Sequence, residues 1–230
     1  MIDLSAYYFI NSPFDDLDET QAEVLLAAAT ERKYSRGEMV FKVNEFPKGV
    51  FIIRKGRVKI FQRVSSGADQ IMNIHVAGEM IGYRPLLCNE RYPVSASAVE
   101  ACALLFIPAK AFSSLLSQSP RFSNLLLGYL SHEFTVWVNT ISILAHKTVK
   151  ERLLINLLIL AAKYQEQSRW PVKITLPKGD IANLIGTSNE TLARVLQSLK
   201  KDKRITPKGR SIQVNGVQLR RIQTEVKLFL

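Results

Sequence analysis

Short runs of alternating hydrophobic and polar residues fill the first half of the chain. They are rich in β-branched and aromatic residues, and turn signals such as Lys55-Gly56 separate them. Six or seven short strands at this spacing indicate an antiparallel β-barrel or sandwich. A helix over 17–30 precedes the strands, and another over 109–117 follows them. The predicted strands cover residues 38–43, 50–54, 57–64, 70–76, 94–99 and 102–107.

A long apolar stripe marks the middle of the chain. Ser119 and Pro120 are typical of a helix start, and apolar residues then recur every three or four positions up to Leu144, so a helix is predicted over 119–146. A helix with so much apolar surface is expected to contact both its own barrel and a second copy of itself. The alternative is a helix buried within one large domain. The predicted dimer interface comprises Phe122, Leu126, Leu130, Phe134, Trp137, Ile141 and Leu144.

The last part of the chain changes to a mixed pattern. A helix is predicted over 148–165 and a strand over 172–176, followed by helices over 178–186 and 189–203. A hairpin over 204–216 ends the pattern. Two helices joined by a short glycine-containing turn and followed by a hairpin predict a winged helix-turn-helix.

Charge divides the chain in the same way. The net charge is +11, but residues 1–146 hold equal numbers of basic and acidic side chains, so the whole excess falls on residues 147–230. This predicts a neutral N-terminal domain and a basic C-terminal domain that binds a polyanion. A polybasic membrane surface is the alternative, but no lipidation motif or exposed apolar helix face accompanies the charge. The predicted domains are 1–118, 119–146 and 147–230.

Several other classes of protein are disfavoured by the sequence. The longest nearly apolar run, 153–162, is about half the length that spans a bilayer, and the N-terminus has no basic segment of a signal peptide. The chain is therefore expected in the cytoplasm and off the membrane. Cys88 and Cys102 are expected to be buried free thiols, with a thiol switch at Cys88 as the alternative. The three histidines lie on separate elements, so the sequence predicts no metal site and names no cofactor.

The second helix of the helix-turn-helix begins with side chains suited to base recognition. Arg194 can donate two hydrogen bonds to guanine O6 and N7, and Glu190, one turn earlier, can accept one from cytosine N4. Flanking cations suit phosphates. The residues predicted to bind DNA are Lys178, Thr187, Ser188, Asn189, Glu190, Arg194, Lys200, Lys201, Lys208 and Arg210.

A purely structural interpretation of the same residues is also open. Residues Thr187 to Glu190 fit a capping box, in which Glu190 bonds back to the Thr187 amide. A Glu190–Arg194 ion pair would stabilise the helix by a few tenths of a kcal/mol. The surrounding strand, helix, turn and hairpin, together with the local charge, favour DNA contact over this alternative.

The chain resembles the Crp/Fnr family of bacterial transcription regulators over nearly its whole length. The C-terminal resemblance lies in "KERLLINLLILA", "GDIANLIGTSNETLARVLQSLKK" and "KGRSIQV", and the N-terminal one in "YSRGEMVFKVNEFPKGVFIIRKGRVKIF". It implies an α+β fold with an antiparallel β-roll (a double-stranded β-helix), a long dimerisation helix and a winged helix-turn-helix. Gly37, Gly56, Gly78 and Gly82 match family turn positions, and Asn44 replaces a usual glycine.

The resemblance also implies how such a protein meets DNA. The family's Glu and Arg of the recognition helix match Glu190 and Arg194, which read a G·C-containing half-site core. Asn189 stands where the cyclic-AMP receptor has an Arg, and Ala193 where Fnr-type members have Ser. A homodimer on a palindromic double-stranded site, with RNA polymerase as a further partner, is what the resemblance implies.

The effector motif departs from the family pattern. Cyclic-nucleotide binders read Gly-Glu-Leu where this chain has Gly82, Tyr83 and Arg84, and they place a phosphate-binding Arg where this chain has Tyr92. Arg91 lies one residue away. Two interpretations therefore stay open: an anion site that uses a different arginine, and a pocket filled by the two tyrosines. Fnr-type iron–sulfur sensing needs four cysteines, and the chain has two.

Taken together, the sequence predicts a dimeric DNA-binding transcription regulator, controlled by an effector other than cyclic AMP or by none. The alternative is a ligand-binding regulatory module that acts on a protein partner, although such a module has no need of a basic winged helix. A barrel enzyme is disfavoured because no catalytic or metal-binding cluster of His and Glu is present.

Overall fold

The computed structural model describes residues 14, 17–63, 67, 69–165, 170–209 and 211–227. The chain divides into two compact units, with the boundary between Phe134 and Thr135. The first unit is a β-roll with flanking helices, and the second is a small α/β domain.

The first unit contains two four-stranded antiparallel sheets, ordered β1-β8-β3-β6 and β2-β7-β4-β5. Its predicted antiparallel β-roll is confirmed. The elements are α1 (Glu19–Ala28), β1 (Thr30–Tyr34), β2 (Met39–Phe41), β3 (Gly49–Lys55), β4 (Val58–Arg63), β5 (Asp69–His75), β6 (Met80–Ile81), α2 (Arg84–Cys88), β7 (Ser95–Ala98), β8 (Cys102–Pro108), α3 (Ala109–Gln118) and the beginning of α4 (Pro120–His146).

Two apolar clusters form the core of this unit. The interior cluster fills the roll and contains Phe41, Phe51, Tyr92 and Phe106, all nearly inaccessible. The helix-side cluster lies between the roll and its helices, and includes residues from β3, β6, α3 and α4. The predicted turn positions are confirmed, because Gly37, Gly56, Gly78, Gly82 and Asn44 all have positive φ angles.

The second unit is the winged helix-turn-helix that the sequence predicts. Its three strands form one antiparallel sheet in the order β10-β11-β9. Helix α5 is buried on nearly every face, and a capping box fixes its start: the Thr148 amide donates to Glu151 and the Glu151 amide donates to Thr148. Besides the end of α4, the elements are α5 (Val149–Tyr164), β9 (Val172–Ile174), α6 (Lys178–Ile185), α7 (Asn189–Lys201), β10 (Thr206–Lys208), β11 (Ser211–Val214) and α8 (Gly216–Lys227).

The structure corrects the sequence prediction at several points. The first helix is Glu19–Ala28 rather than 17–30, and residues 30–34 form β1, a strand that was not predicted. The short elements β6 and α2 and the final helix α8 were not predicted. Cys102 is buried as expected, but Cys88 is exposed at the end of α2, so its predicted burial is wrong.

Candidate nucleic-acid interface

The turn between α6 and α7 is closed by backbone and side-chain caps. Gly186 ends α6 with φ of 60°, a left-handed conformation that glycine adopts at little cost. The Thr187 amide then donates to the Ala182 carbonyl over 3.0 Å. Ser188 is the N-cap of α7, because its hydroxyl oxygen accepts from the Thr191 amide over 3.2 Å. These bonds fix where α7 begins and which side chains stand at its start.

Glu190 and Arg194 are exposed one helical turn apart on α7. The capping box of Thr187 with Glu190, part of the alternative structural interpretation, is not formed, because the cap lies one residue later, at Ser188. The alternative ion pair is also not formed: among the described residues, neither Glu190 nor Arg194 has a salt-bridge or hydrogen-bond partner. Both polar groups are therefore available to a ligand outside the chain.

The opposite face of α7 holds the helix in place. Leu192, Leu196 and Leu199 are buried at helical spacing and leave the other face in solvent. Gln197 lies on that exposed face, one turn beyond Arg194. Gln197 was not among the residues predicted to bind DNA, although its spacing of three residues from Arg194 and seven from Glu190 indicates the same face.

Cations surround this face of α7. Four predicted phosphate ligands, Lys178, Lys200, Lys201 and Lys208, are exposed, while Arg210 lies outside the described residues. A groove of about 220 Å³ runs between α6, α7 and the hairpin. Its lining includes Lys178, Lys200, Gln197 and Pro207. The arrangement presents a helix end, flanked by positive charge, to a negatively charged partner.

The interior of the roll, where an effector was expected, is packed with aromatic rings. Tyr92 stacks on Phe41 with ring centroids 4.0 Å apart, and Phe51 lies 5.1 Å from Phe106. Gly82 sits against the first pair, since a Cβ there would lie 3.2 Å from the Tyr92 hydroxyl. Burial raises the pKa of Tyr92, and Glu45 adds to the rise, so this ring remains neutral.

Arg84 and Arg91, the two arginines of the candidate effector site formed with Gly82, Tyr83 and Tyr92, lie at the surface. Arg84 is exposed on α2. Arg91 is also exposed: its guanidinium donates to the Asn44 carbonyl over 2.7 Å and lies 4.2 Å from the Phe46 ring. A third guanidinium, which the sequence did not single out, is that of Arg32 on β1.

Arg32 faces the rim of the interior cluster. Its guanidinium lies over the Phe106 ring, 3.5 Å from the centroid, and the residue is exposed. Strand β1 carries no apolar alternation, so only its pairing with β8 reveals which way Arg32 faces.

Tyr83 and Tyr92 lie in different apolar clusters. Its ring lies in the helix-side cluster, 5.7 Å from Tyr129, and its hydroxyl donates to Glu133 of α4 over 2.8 Å. Burial and the Glu133 carboxylate raise the pKa of Tyr83 far above its usual range, which keeps this donor protonated. The alternative in which Tyr83 and Tyr92 fill one pocket is therefore wrong.

Helix α4 presents an exposed apolar stripe. Leu127, Phe134, Val138 and Ile141 are exposed by 63%, 69%, 49% and 63%, at spacings of three, four and seven residues. Large apolar side chains repeated at this spacing are typical of a helix that packs against a partner helix.

Part of the predicted dimer interface is wrong. Phe122 and Leu126 are buried in the helix-side cluster of their own chain, and Leu130 packs against the same cluster. Trp137 and Leu144 are half-buried, whereas Phe134 and Ile141 remain on the exposed stripe. The first turns of α4 pack into the core of their own chain. The apolar spacing is the same along the whole helix, so it could not reveal this difference.

The described residues offer neither a membrane-spanning helix nor a metal-binding cluster. No helix in the described ranges is long and apolar enough to cross a membrane. In the same ranges, no group of three or more His, Cys, Asp or Glu side chains could hold a metal ion.

Two domain families match the chain. The family described as "Cyclic nucleotide-binding domain" matches residues 31–119, and that described as "Crp-like helix-turn-helix domain" matches residues 151–221. The fumarate and nitrate reduction regulatory protein of Vibrio cholerae is 25% identical over 201 residues, which are 86% of this chain and 80% of that protein. The transcriptional activator Anr of Pseudomonas aeruginosa is 27% identical over 185 residues, 80% of this chain and 75% of the relative.

Solved structures share the fold. FixK2 from Bradyrhizobium japonicum has a TM-score of 0.76 at 20% identity, covering 85% of this chain and 96% of its own. The c-di-GMP responsive global regulator CLP of Xanthomonas campestris has a TM-score of 0.73 at 22% identity, covering 86% of this chain and 100% of its own.

A β-roll followed by a basic winged helix-turn-helix with an unengaged helix face defines a DNA-binding transcription regulator. The relatives carry names of regulators rather than of enzymes. The chain belongs to the Crp/Fnr family.

Proposed function

We propose that α7 enters the major groove of duplex DNA and that Glu190 and Arg194 contact base edges there. The observation that carries this proposal is their exposure, without any partner among the described residues, on a helix whose other face is locked in the core. Arg194 would read guanine and Glu190 the cytosine N4 of a G·C core. The exposed lysines around them would neutralise phosphates. Thr187, Ser188 and Asn189 would lie beside a phosphate oxygen at the helix start, where the amides of Ser188 and Asn189 can meet it, since the Thr187 amide is bonded to Ala182.

The protein would act as a homodimer on a palindromic site. The exposed apolar stripe of α4 supports self-association, because large apolar side chains in a helix gain most by packing on an equivalent helix. Each chain has one recognition helix, so a two-fold dimer would place two of them on half-sites about 34–36 Å apart. The proposed compartment is the cytoplasm, and RNA polymerase is the proposed protein partner.

Control would come from an effector other than cyclic AMP, or from none. A cyclic phosphate enclosed in a barrel needs a fixed counter-charge, ideally a two-pronged Arg. The resemblance puts that Arg where Tyr92 stands; Tyr92 is stacked on Phe41 in a packed interior, and Arg91 is engaged at the surface. A flat or apolar effector suits this interior better than an anion does. Arg32 at the rim is a further cation to test.

Selection from a pool of random duplexes tests the DNA proposal. The recovered sites are expected to be palindromic, with a G·C pair in each half-site, and to bind much more weakly as salt rises. Recovery of unpaired, asymmetric sites alone would contradict the dimer geometry.

Calorimetric titration with cyclic AMP tests the effector proposal. No saturable heat is expected. Saturable micromolar binding that Arg91→Ala or Arg32→Ala abolishes would show that this roll does hold a counter-charge. Binding that survives both replacements, and Arg84→Ala as well, would refute the counter-charge argument itself.

A further inference from the structure

A groove between α1 and α3 has the size and lining of a small-molecule site. Its volume is about 540 Å³, within the roughly 300–1,000 Å³ typical of ligand pockets. Its walls are mainly apolar, with Val24 and Ala28 on α1 facing Ala111 and Leu115 on α3. Val24 is exposed by 67%, a large fraction for an apolar side chain in a concave surface. The groove lies outside the roll interior, since none of its lining residues belongs to the interior cluster.

Charge distinguishes the two ends of this groove. Lys110 is the charged residue in the lining, and it lies in the first turn of α3. That turn has no acidic side chain and no side-chain cap, so the positive end of the helix dipole adds to the lysine charge. Among the described residues Lys110 makes no ion pair. The groove therefore combines apolar walls with a positive charge that no described residue neutralises through an ion pair.

The pairing of β1 with β8 orients the two helices. Thr30 lies opposite Phe106, which brings the end of α1 beside the start of α3. Pro108, Lys110 and Ala28 therefore share one end of the groove, and Gln118 closes the other with its amide donating to the Ser114 hydroxyl over 3.0 Å. The groove therefore has a cation at one end, apolar side chains along its walls and a neutral polar side chain at its other end.

We propose that this groove binds an alkyl carboxylate of medium chain length. The carboxylate would pair with Lys110 at the start of α3, where two favourable charges act on it. The alkyl chain would cover Val24 and pack along Ala111 and Leu115, which removes apolar surface from water. A cationic or sugar-like ligand would find neither a carboxylate nor enough hydrogen-bonding groups in this lining. The proposal is independent of DNA binding.

Calorimetric titration of the full chain with decanoate and with 1-decanol tests the proposal. Decanoate is expected to bind saturably with one site per chain and at least about tenfold more tightly than decanol, since only decanoate pairs with Lys110. Lys110→Gln should remove that advantage and leave decanol unchanged. Lys42→Gln, which changes an exposed lysine outside the groove, should alter neither ligand.

A second variant distinguishes a loss of ligand binding from a loss of folding. Val24→Glu alters an exposed side chain and places a carboxylate in the groove, so it should abolish decanoate binding while thermal unfolding stays unchanged. Val217→Glu is the matched control in α8 and should bind decanoate normally. Equal affinity for decanoate and decanol, or binding that survives Val24→Glu, would overturn the proposal. Tighter decanoate binding by a chain lacking residues 1–13 would make that segment the occupant and would equally overturn it.

Discussion

Arg194 carries the proposed contact to guanine, so its replacement tests base recognition directly. Arg194→Ala is expected to weaken binding by about 1–3 kcal/mol and to relax the preference for one G·C pair in each half-site. The fold should be unaffected, because the side chain is exposed and has no partner among the described residues. Fluorescence anisotropy with the selected duplex, and with duplexes altered at that pair, measures both effects.

Lys201 provides the matched control for Arg194. It is exposed in the last turn of α7, away from the helix start, and is expected to contact phosphate rather than a base. Lys201→Ala should therefore weaken all sequences alike and reduce the salt slope by about 1. Normal binding of the selected site by Arg194→Ala would refute the proposed contact between Arg194 and guanine.

The start of α7 shows what a local pattern can and cannot decide. Both Thr187 and Ser188 are good N-cap residues, and Thr187 with Glu190 fits the capping-box spacing. The backbone bond from Thr187 back into α6 uses that residue to close the turn, so the cap falls to Ser188. Because a helix end depends on where the previous helix stops, sequence spacing alone could not choose between them.

At the scale of elements, the turn at Gly186 sets the angle at which α7 leaves α6. Gly186→Ala forces a Cβ into the left-handed region, which should cost about 1–2 kcal/mol of unfolding free energy. DNA affinity should fall as well, because α7 would be displaced. Urea denaturation and anisotropy on the same samples measure the two effects.

Gly179 offers the control, since it lies inside α6 with the nearest atom to an added Cβ 4.0 Å away. Gly179→Ala should leave stability unchanged or raise it by roughly 0.4–1 kcal/mol. A Gly186→Ala protein as stable as the wild type would mean that α6 and α7 tolerate another turn.

The elements that the sequence did not predict share a physical cause. Strand β1, "TERKY", has no apolar alternation, and it is a strand because β8 pairs with it from Thr30 to Tyr34. Helix α2 is five residues long, too short for a periodic pattern. The strongly periodic elements, such as α4 and α5, were predicted closely. Those that depend on a distant partner were not.

Helix α8 illustrates such dependence on distant residues. Ile222 and Val226 are buried. The Glu225 carboxylate lies 3.0 Å from the Lys150 ammonium of α5 and 3.0 Å from the Arg204 guanidinium after α7. Lys150 and Arg204 are 75 and 21 residues from Glu225 in sequence, so a pattern among neighbouring residues does not reveal these contacts. The candidate site was easier to predict, because its residues lie within one helix and the turn before it.

At the scale of the whole molecule, the exposed stripe of α4 predicts the oligomeric state. Phe134 and Ile141 are exposed by 69% and 63% in the single chain. If they pack in a dimer, replacing both with Asp buries unpaired charge and costs several kcal/mol of association. If the protein is a monomer, the same surface changes alter stability by about 0.5 kcal/mol or less. Sedimentation equilibrium is expected to show a dimer for the wild type and a monomer for the variant.

The matched control replaces two exposed apolar residues away from α4. Leu26 and Val217 are exposed by 55% and 54%. Changing both to Asp should leave the dimer intact. A Phe134→Asp, Ile141→Asp protein that still sediments as a dimer would place the interface on another surface.

Half-site spacing tests the geometry of the assembled molecule. A two-fold dimer fixes its two α7 helices relative to each other, so both can enter the major groove only when the half-sites face the same side of the duplex. Inserting five base pairs between the half-sites turns one of them by about half a helical turn and separates them further. The selected duplex is expected to lose most of its affinity on this insertion and to bind like a single half-site. Because the excess positive charge lies in residues 147–230, the remaining binding should be largely non-specific and strongly weakened by salt. Undiminished affinity and an unchanged salt slope would show that one chain, not a fixed pair, recognises the DNA.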